Sequence, residues 1–311
     1  GVYGVSIGVA IGAFINMLVQ IPAIFRTGFR FRFSSNWYTN RVKEMLILSI
    51  PRIIGMSVSQ ISLIIDTIIA STLALGSITV INFASNLESL PIGIIGVSVA
   101  VVSFGILSSH AAENNMVEFI KEISGNLRKI FFLLIPLAFG MFSLRYEIVK
   151  LVFEKGKFTD ADTIITANTL GFFLIGLIFG GIIFLLARGF YALKNTKTPV
   201  IVSIIAVTIN IIFSLLLTKI WKLETYGLAL ANSLADAFNS IVLLILLSKK
   251  LKTSIIDLKE IVKFFAAAVV MFIAVNLTKG YFDNLILQTI VSVVTGVAVY
   301  FSICFLLRSR I

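Results

Sequence analysis

Cysteine and histidine are almost missing from this sequence, which has one of each, Cys304 and His110. A lone cysteine excludes an intrachain disulfide and a thiolate metal cluster. A lone histidine leaves no basis for a zinc site or a histidine-based catalytic triad within one chain. Charge is also scarce: 13% of the residues are Asp, Glu, Lys or Arg, against about 25% in an ordinary soluble domain. Acidic residues are the scarcer sign, 15 against 26 basic ones. The sequence has no phosphate-binding loop, no dinucleotide fingerprint and no nucleophile elbow, so nothing in it points to ATP-driven work or hydrolysis.

Apolar residues fill the space that charge vacates. They make up 58% of the chain, and the mean hydropathy is +1.04. A single soluble core could not hide that much apolar surface, so lipid must be the solvent for most of it. Runs long enough to cross about 30 Å of hydrocarbon are placed at 2–24, 44–74, 77–107, 129–151, 164–191, 199–219, 225–248, 260–278 and 285–307. The expected fold class is therefore all-α, a polytopic transmembrane helical bundle of about nine spans. The chain opens at Gly1 inside an apolar run, with no charged region ahead of it. This reads as a start near the beginning of a span rather than as a signal peptide.

The net charge of +11 suggests nucleic acid only if the basic residues form a face or a tail. Instead they sit in short loops between apolar runs, which argues against a nucleic-acid partner. Counted by alternate loops, 19 of the 26 lie on one side, including Arg26, Arg52, Lys121, Arg188 and Lys249. The other 7, from Arg145 to Lys279, lie opposite. The richer side is the cytoplasmic one, which puts the C-terminus in the cytoplasm. Between spans, residues 108–126 read either as an amphipathic interfacial helix or as a solvated loop, and Pro199 suits the first turn of a helix.

Polar residues inside apolar runs carry the functional reading, because lipid satisfies none of them. Ser59, Ser62 and Asp66 form one stripe on the second span. Asp66 there calls for a cation, a proton or an arginine, or else is a protonated acid bonded to a neighbouring helix. Asn82, Asn86 and Ser89 form a stripe on the third span, with Glu88 beside them and Pro91 beyond, where a kink is expected. That stripe reads as a wet cavity wall or as inter-helix bonding. Asn210 with Ser214, and Asn232 with Asp236, are i, i+4 pairs on the sixth and seventh spans. Oxygen ligands from three helices would suit a small hard cation, though such pairs also simply join helices. Gly93, Gly96, Gly176, Gly180 and Gly181 have helix-packing spacings.

Several of these runs resemble a known family. The segment from Pro51 to Ser71 (PRIIGMSVSQISLIIDTIIAS) resembles the seventh helix of the MurJ (MviN) lipid II flippases, within the MOP superfamily. FASNLESLPIGIIGVS at 83–98 resembles the eighth helix, and KGKFT at 155–159 and GFYALKNTKTP at 189–199 resemble later segments. That family has fourteen helices, in two six-helix lobes followed by a C-terminal pair. The resemblance implies that residues 1–40 hold the last helix of the N-lobe and a linker, 41–250 the C-lobe, and 251–311 the final pair. Five further helices of the N-lobe would precede them.

The resemblance further implies a bacterial inner-membrane protein and alternating access around a cationic cavity, with the switch biased by cation binding or by membrane potential. Its partners are then lipid II or a similar undecaprenyl-diphosphate-linked glycan, together with membrane lipids. It implies no cofactor other than Na+ as a coupling ion, held by Asp66, Asn210, Ser214 and Asn232. Ser214 departs from the pattern, because that position is often Asp. Asn86 departs too, standing where the family commonly has an arginine for the substrate diphosphate. The implied substrate contacts are Asn86, Arg52, Ser89 and Asn82, with Arg52 as partial compensation for the missing arginine. The alternative reading is export of another polyprenyl-linked glycan or a drug within the superfamily. An enzyme, such as a glycosyltransferase using Asp160 and Asp162, is not expected.

Overall fold

The structure, a computed structural model, describes residues 2–26, 28, 39, 42–43, 60–281 and 284–309. The chain divides into two units, Gly1–Ser49 and Ile50–Ile311. In the first, helix α1 (Val2–Arg26) is mostly apolar, with Asn16 and Gln20 inside it and Arg26 at its end, and its described side chains are almost all exposed. The second contains α2 (Gln60–Ser71), α3 (Ser77–Pro91), α4 (Ser98–Ala112), α5 (Met116–Ser143), α6 (Arg145–Phe153) and α7 (Asp160–Ala192). It continues with α8 (Lys197–Leu215), α9 (Glu224–Leu251), α10 (Leu258–Thr278) and α11 (Leu285–Leu306). Among the described residues every regular element is helical, and eight helices are long and apolar enough to cross a membrane. The all-α polytopic class is thus the observed one. Of the expected second span, 44–74, the described part is α2.

Two boundaries differ from the sequence expectation. The fourth span begins at Met116 rather than near 129, and it ends at Ser143 rather than 151. Residues 116–126 are its first turns, so no separate interfacial helix exists there. Asn115 starts the helix by accepting the backbone N–H of Glu118, and nothing between it and residue 129 breaks the helical pattern. The C-terminal part of the expected run is α6, set off by a turn at Leu144.

Helix α6 lies under a clasp built from its own polar face. Tyr146 donates to Asp160 Oδ1 at 2.5 Å, Lys150 reaches Tyr146 and Asp160 at 3.2 Å each, and Lys150 pairs with Glu154 at 3.5 Å. The bond to Asp160 pushes the Tyr146 phenol above its ordinary range. Tyr146, then Asp160, push the Lys150 ammonium upward as well. Asp162 completes a capping box with Thr159 at the start of α7. Asp160 and Asp162 are thus occupied in holding a helix start.

The centre of the second unit is α7, the most buried of the long helices. Its small residues explain how other helices approach it. A Cβ on Gly96 would lie 2.5 Å from the Gly181 carbonyl oxygen and 2.9 Å from its Cα. One on Gly176 would lie 2.8 Å from the Cα of Ser233 on α9. This close approach lets Ser233 Oγ donate to the α7 carbonyls of Phe172 (2.7 Å) and Phe173 (3.2 Å). Gly93 differs from its neighbours: nothing lies within 4 Å of its would-be Cβ, so it takes no part in close packing.

Pro91 does not end the span. It lacks an N–H, so the preceding turn loses one hydrogen bond. The chain answers with a π-helical segment, Ile92–Val97, before α4 resumes. Ser98 Oγ donates to the Gly93 carbonyl at 3.2 Å, replacing part of what the wide turn gives up. On the far side of the unit, α10 and α11 seat against α5 through the buried Phe132, Phe264 and Tyr300. The Tyr300 hydroxyl donates to the Phe132 carbonyl at 2.8 Å.

Gly96→Ala should destabilise the protein by about 1–3 kcal/mol, since backbone rather than a flexible side chain stands in the way. Gly93→Ala should be neutral or slightly stabilising. Thermal melting of both variants in detergent distinguishes this arrangement from a generic intolerance of the segment.

Candidate functional site

Three helices bring polar side chains to one place in the second unit. Asp66 comes from the middle of α2, where the flanking residues are Ile64, Ile65 and Ile68. Asn82 and Ser85 come from α3, and Asn232 comes from α9. Together with Leu63, Ala70, Ile81 and Phe173 they line a cavity of about 50 Å³, which has room for a water molecule or a small ion. Polar and apolar walls meet here because α2 presents Asp66 on one face and isoleucines on the others.

Behind Asp66 stands α8. Ser62 Oγ donates to Asn210 Oδ1 at 3.4 Å, tying α2 to α8, and the Ser214 side chain lies close to Asp66. Asn210 and Ser214 are 2% and 0% exposed. Yet Asp66 Oδ1, Ser214 Oγ and Asn210 Nδ2 are all buried without a well-formed hydrogen bond. Each such group costs about 1–3 kcal/mol, and more when charged. The three lie on two facing helices: a carboxylate oxygen, a hydroxyl and an amide nitrogen. The donors available are one carboxylate with hydroxyl and amide oxygens, a hard and weakly charged set that suits an alkali cation. Such an ion would take its counter-charge from Asp66 and neutral oxygens from Ser214 and Asn232; the unpartnered atom of Asn210 is its amide nitrogen, a donor, while its Oδ1 already accepts from Ser62.

The expected substrate contacts fall elsewhere, apart from Asn82. Asn86 and Ser89 continue the Asn82 stripe along α3, exposed, with the Ser89 hydroxyl donating to the Asn86 carbonyl at 2.8 Å. Neither lines the cavity. Ser59 and Arg52 lie outside the described residues. The sequence reading missed Ser85, which lines the cavity, and the contact of Ser233 with α7. The signal available for Ser85 is its i, i+3 spacing from Asn82, which sets the two on one face of α3. Ser233 carries no comparable signal, since its partners are main-chain carbonyls of another helix.

A membrane-spanning helical bundle with an unpartnered carboxylate at a small cavity has the architecture of polytopic transport proteins. A family model described as "Lipid II flippase MurJ" matches residues 1–302. The chain belongs to the MurJ family. A relative from Vibrio cholerae named "Probable lipid II flippase MurJ" is 32% identical over 236 residues, covering 76% of this chain and 45% of that protein. One of the same name from Thermotoga maritima is 32% identical over 293 residues, covering 94% and 58%. The solved structure of lipid II flippase MurJ in an inward closed conformation superposes with a TM-score of 0.77 at 28% identity, over 96% of this chain and 60% of that one. An outward-facing MATE multidrug transporter of the MOP superfamily shares the fold alone, with a TM-score of 0.60 at 14% identity, over 83% of this chain and 63% of that one. The chain spans about half the length of the curated relatives it matches. A flippase relocates lipid and breaks no covalent bond, so the family is one of transporters and not of enzymes.

With no cation supplied, Asp66→Asn keeps the shape of the site and removes an unpaired buried charge. In sodium-free buffer at pH 8 it should raise stability by about 1–3 kcal/mol, read as an increase in melting temperature. A lower melting temperature would mean that Asp66 already has a partner.

Proposed function

We propose that this chain is part of a flippase that moves lipid II from the inner to the outer leaflet of the bacterial cytoplasmic membrane by alternating access. The observation that carries the reading is the family match along residues 1–302, together with an orphaned mid-span carboxylate in the second unit. In this reading residues 41–250 hold the C-lobe and 251–311 the C-terminal pair. Residues 1–40 hold the last N-lobe helix and a linker. The basic-rich loops face the cytoplasm, and so does the C-terminus.

Asp66 is the coupling residue in this scheme, with Na+ as its partner ion. When bound, the ion supplies a counter-charge. The chain's own contribution is positional: Ser62 and Asn210 tie α2 to α8, and Ser214 and Asn232 flank Asp66 from α8 and α9. Holding a cation therefore draws three helices together, and losing it leaves buried orphans that favour another arrangement. The exposed stripe Asn82–Asn86–Ser89 is the wall toward which the lipid diphosphate is drawn, and Arg52, outside the described residues, is the cation that the family resemblance assigns to it. A second reading, transport of another polyprenyl-linked glycan or of a drug, is favoured by Asn86. An amide donates hydrogen bonds but lacks the charge and paired geometry of a guanidinium.

Complementation is the test. The full-length gene should restore growth to bacteria depleted of their own lipid II flippase, and Asp66→Ala should abolish the rescue. Sodium should raise the melting temperature of the purified protein, and Asp66→Asn should remove that increase. Asn86→Arg should tighten binding of a diphosphate lipid by about tenfold or more, as expected for a charge-assisted contact. Failure to rescue by a protein shown to be inserted would favour the other cargo. An affinity that does not change in Asn86→Arg would remove position 86 from the substrate-facing wall.

A further inference from the structure

Two acidic side chains take no part in the Asp66 cavity. Glu88 on α3 is 6% exposed and faces Asp236 on α9 as a like charge. Their meeting is made possible by α7. A Cβ on Gly180 would lie 3.1 Å from Asp236 Oδ2 and 3.1 Å from Ile92 Cδ1. Glycine there leaves a notch in α7 through which Asp236 reaches the α3 side, and Ile92 is one turn from Glu88. On α9, Asn232, Asp236 and Asn239 follow one another at i, i+4 and i+7, a single stripe. Asn239 is 8% exposed, and its Oδ1 accepts no hydrogen bond.

Among the described residues no cation pairs with either carboxyl group. The other charges on α7 are Asp160 and Asp162 at its start and Arg188, eight residues from Gly180 and so about 12 Å along the axis. On α9 they are Glu224 in the first turn and Lys249 and Lys250 in the last. On α5, Lys121 pairs with Glu118 and Lys129 donates to Asn126, which donates to Glu122. Arg128 on α5 lines a crevice against residues 255–257. Helix α4 contributes His110 in its last turn, and α2 contributes Asp66. Two facing carboxylates inside hydrocarbon cannot both remain ionised without a counter-charge.

We propose that Glu88 and Asp236 form a proton-holding site, distinct from the Asp66 cavity and one turn of α9 beyond it, with the Asn239 amide oxygen accepting from the protonated carboxyl. One proton from water sits on one of the two carboxyl groups and removes the like-charge repulsion between them. Its release leaves two carboxylates facing each other across the α3–α9 seam, and their repulsion drives that seam apart. Proton binding is thereby linked to the closure of α3 against α7 and α9. The stripe along α9 joins this site to Asn232 on the cavity wall, so an ion at Asp66 and a proton at Glu88–Asp236 act on the same helix.

The test is infrared spectroscopy of the full-length protein in lipid nanodiscs at pH 7, a readout that needs neither substrate nor transport. The wild type should show carbonyl absorption from a buried protonated carboxyl group. The double variant Glu88→Gln, Asp236→Asn should lose one group's intensity, while Asp66→Asn retains it. An unchanged band in a folded double variant would overturn the proposal. So would a band that vanishes when sodium replaces potassium, since the occupant would then be a metal cation. Should the double variant not fold, carbodiimide modification of the wild type, mapped by mass spectrometry, should label Glu88 or Asp236. Absence of label on both would overturn the proposal equally.

Discussion

Close approach of helix backbones at α7 is the constraint on which the rest of this unit depends. In lipid there is little hydrophobic gain from bringing helices together, so contact must come from van der Waals fit and from hydrogen bonds that lipid cannot offer. Gly176, Gly180 and Gly181 supply both. They bring α9 and the α3–α4 span close enough for Ser233 to reach main-chain carbonyls, and for Asp236 to pass beside α7. Larger side chains at those positions would move α9 outward. The polar stripe it carries would then no longer face α2 and α3.

Polar residues in the spans consequently sort into two kinds. Some are fully engaged, such as Thr169 with Thr225 at 2.9 Å and Lys219 with Thr72 at 2.9 Å; these join helices. Others are buried and unengaged, as they are where α2, α8 and α9 meet. An unpartnered polar group in hydrocarbon is costly, and Asp66, Ser214 and Asn210 bear that cost together. Lys279, which contacts the Ser143 carbonyl and pairs with Glu147 at 3.3 Å, shows the chain satisfying charge where it serves only to hold helices together.

Much of this was legible in the sequence because lipid makes hydropathy a strong signal. The helical class and the stripes bearing Asp66, Asn210, Ser214 and Asn232 follow from span length and i, i+4 spacing. Other features did not follow, for physical reasons. The start of α5 at Met116 is set by a cap at Asn115 and by continuity of the backbone, while the charged residues after it read as a separate interfacial helix or a loop. The meeting of Glu88 with Asp236 joins residues far apart in the chain and depends on a missing side chain on a third helix. Asn86 and Ser89 share a stripe with Asn82, yet the cavity takes in Asn82 and stops short of the next turn of α3. Spacing alone placed all three together.

The π segment at Ile92–Val97 has a consequence for how this span can vary in length. A π turn accommodates one residue more than the α-helix on either side of it, and the surplus is stored at a fixed place. Deleting a single residue there would return the turn to ordinary α geometry and leave the faces of α3 and α4 pointing where they already point. The same deletion anywhere else in the span would rotate one half against the other by about 100°, turning Glu88 away from Asp236 or Gly96 away from Gly181. Length change in this helix is therefore tolerated at one address only.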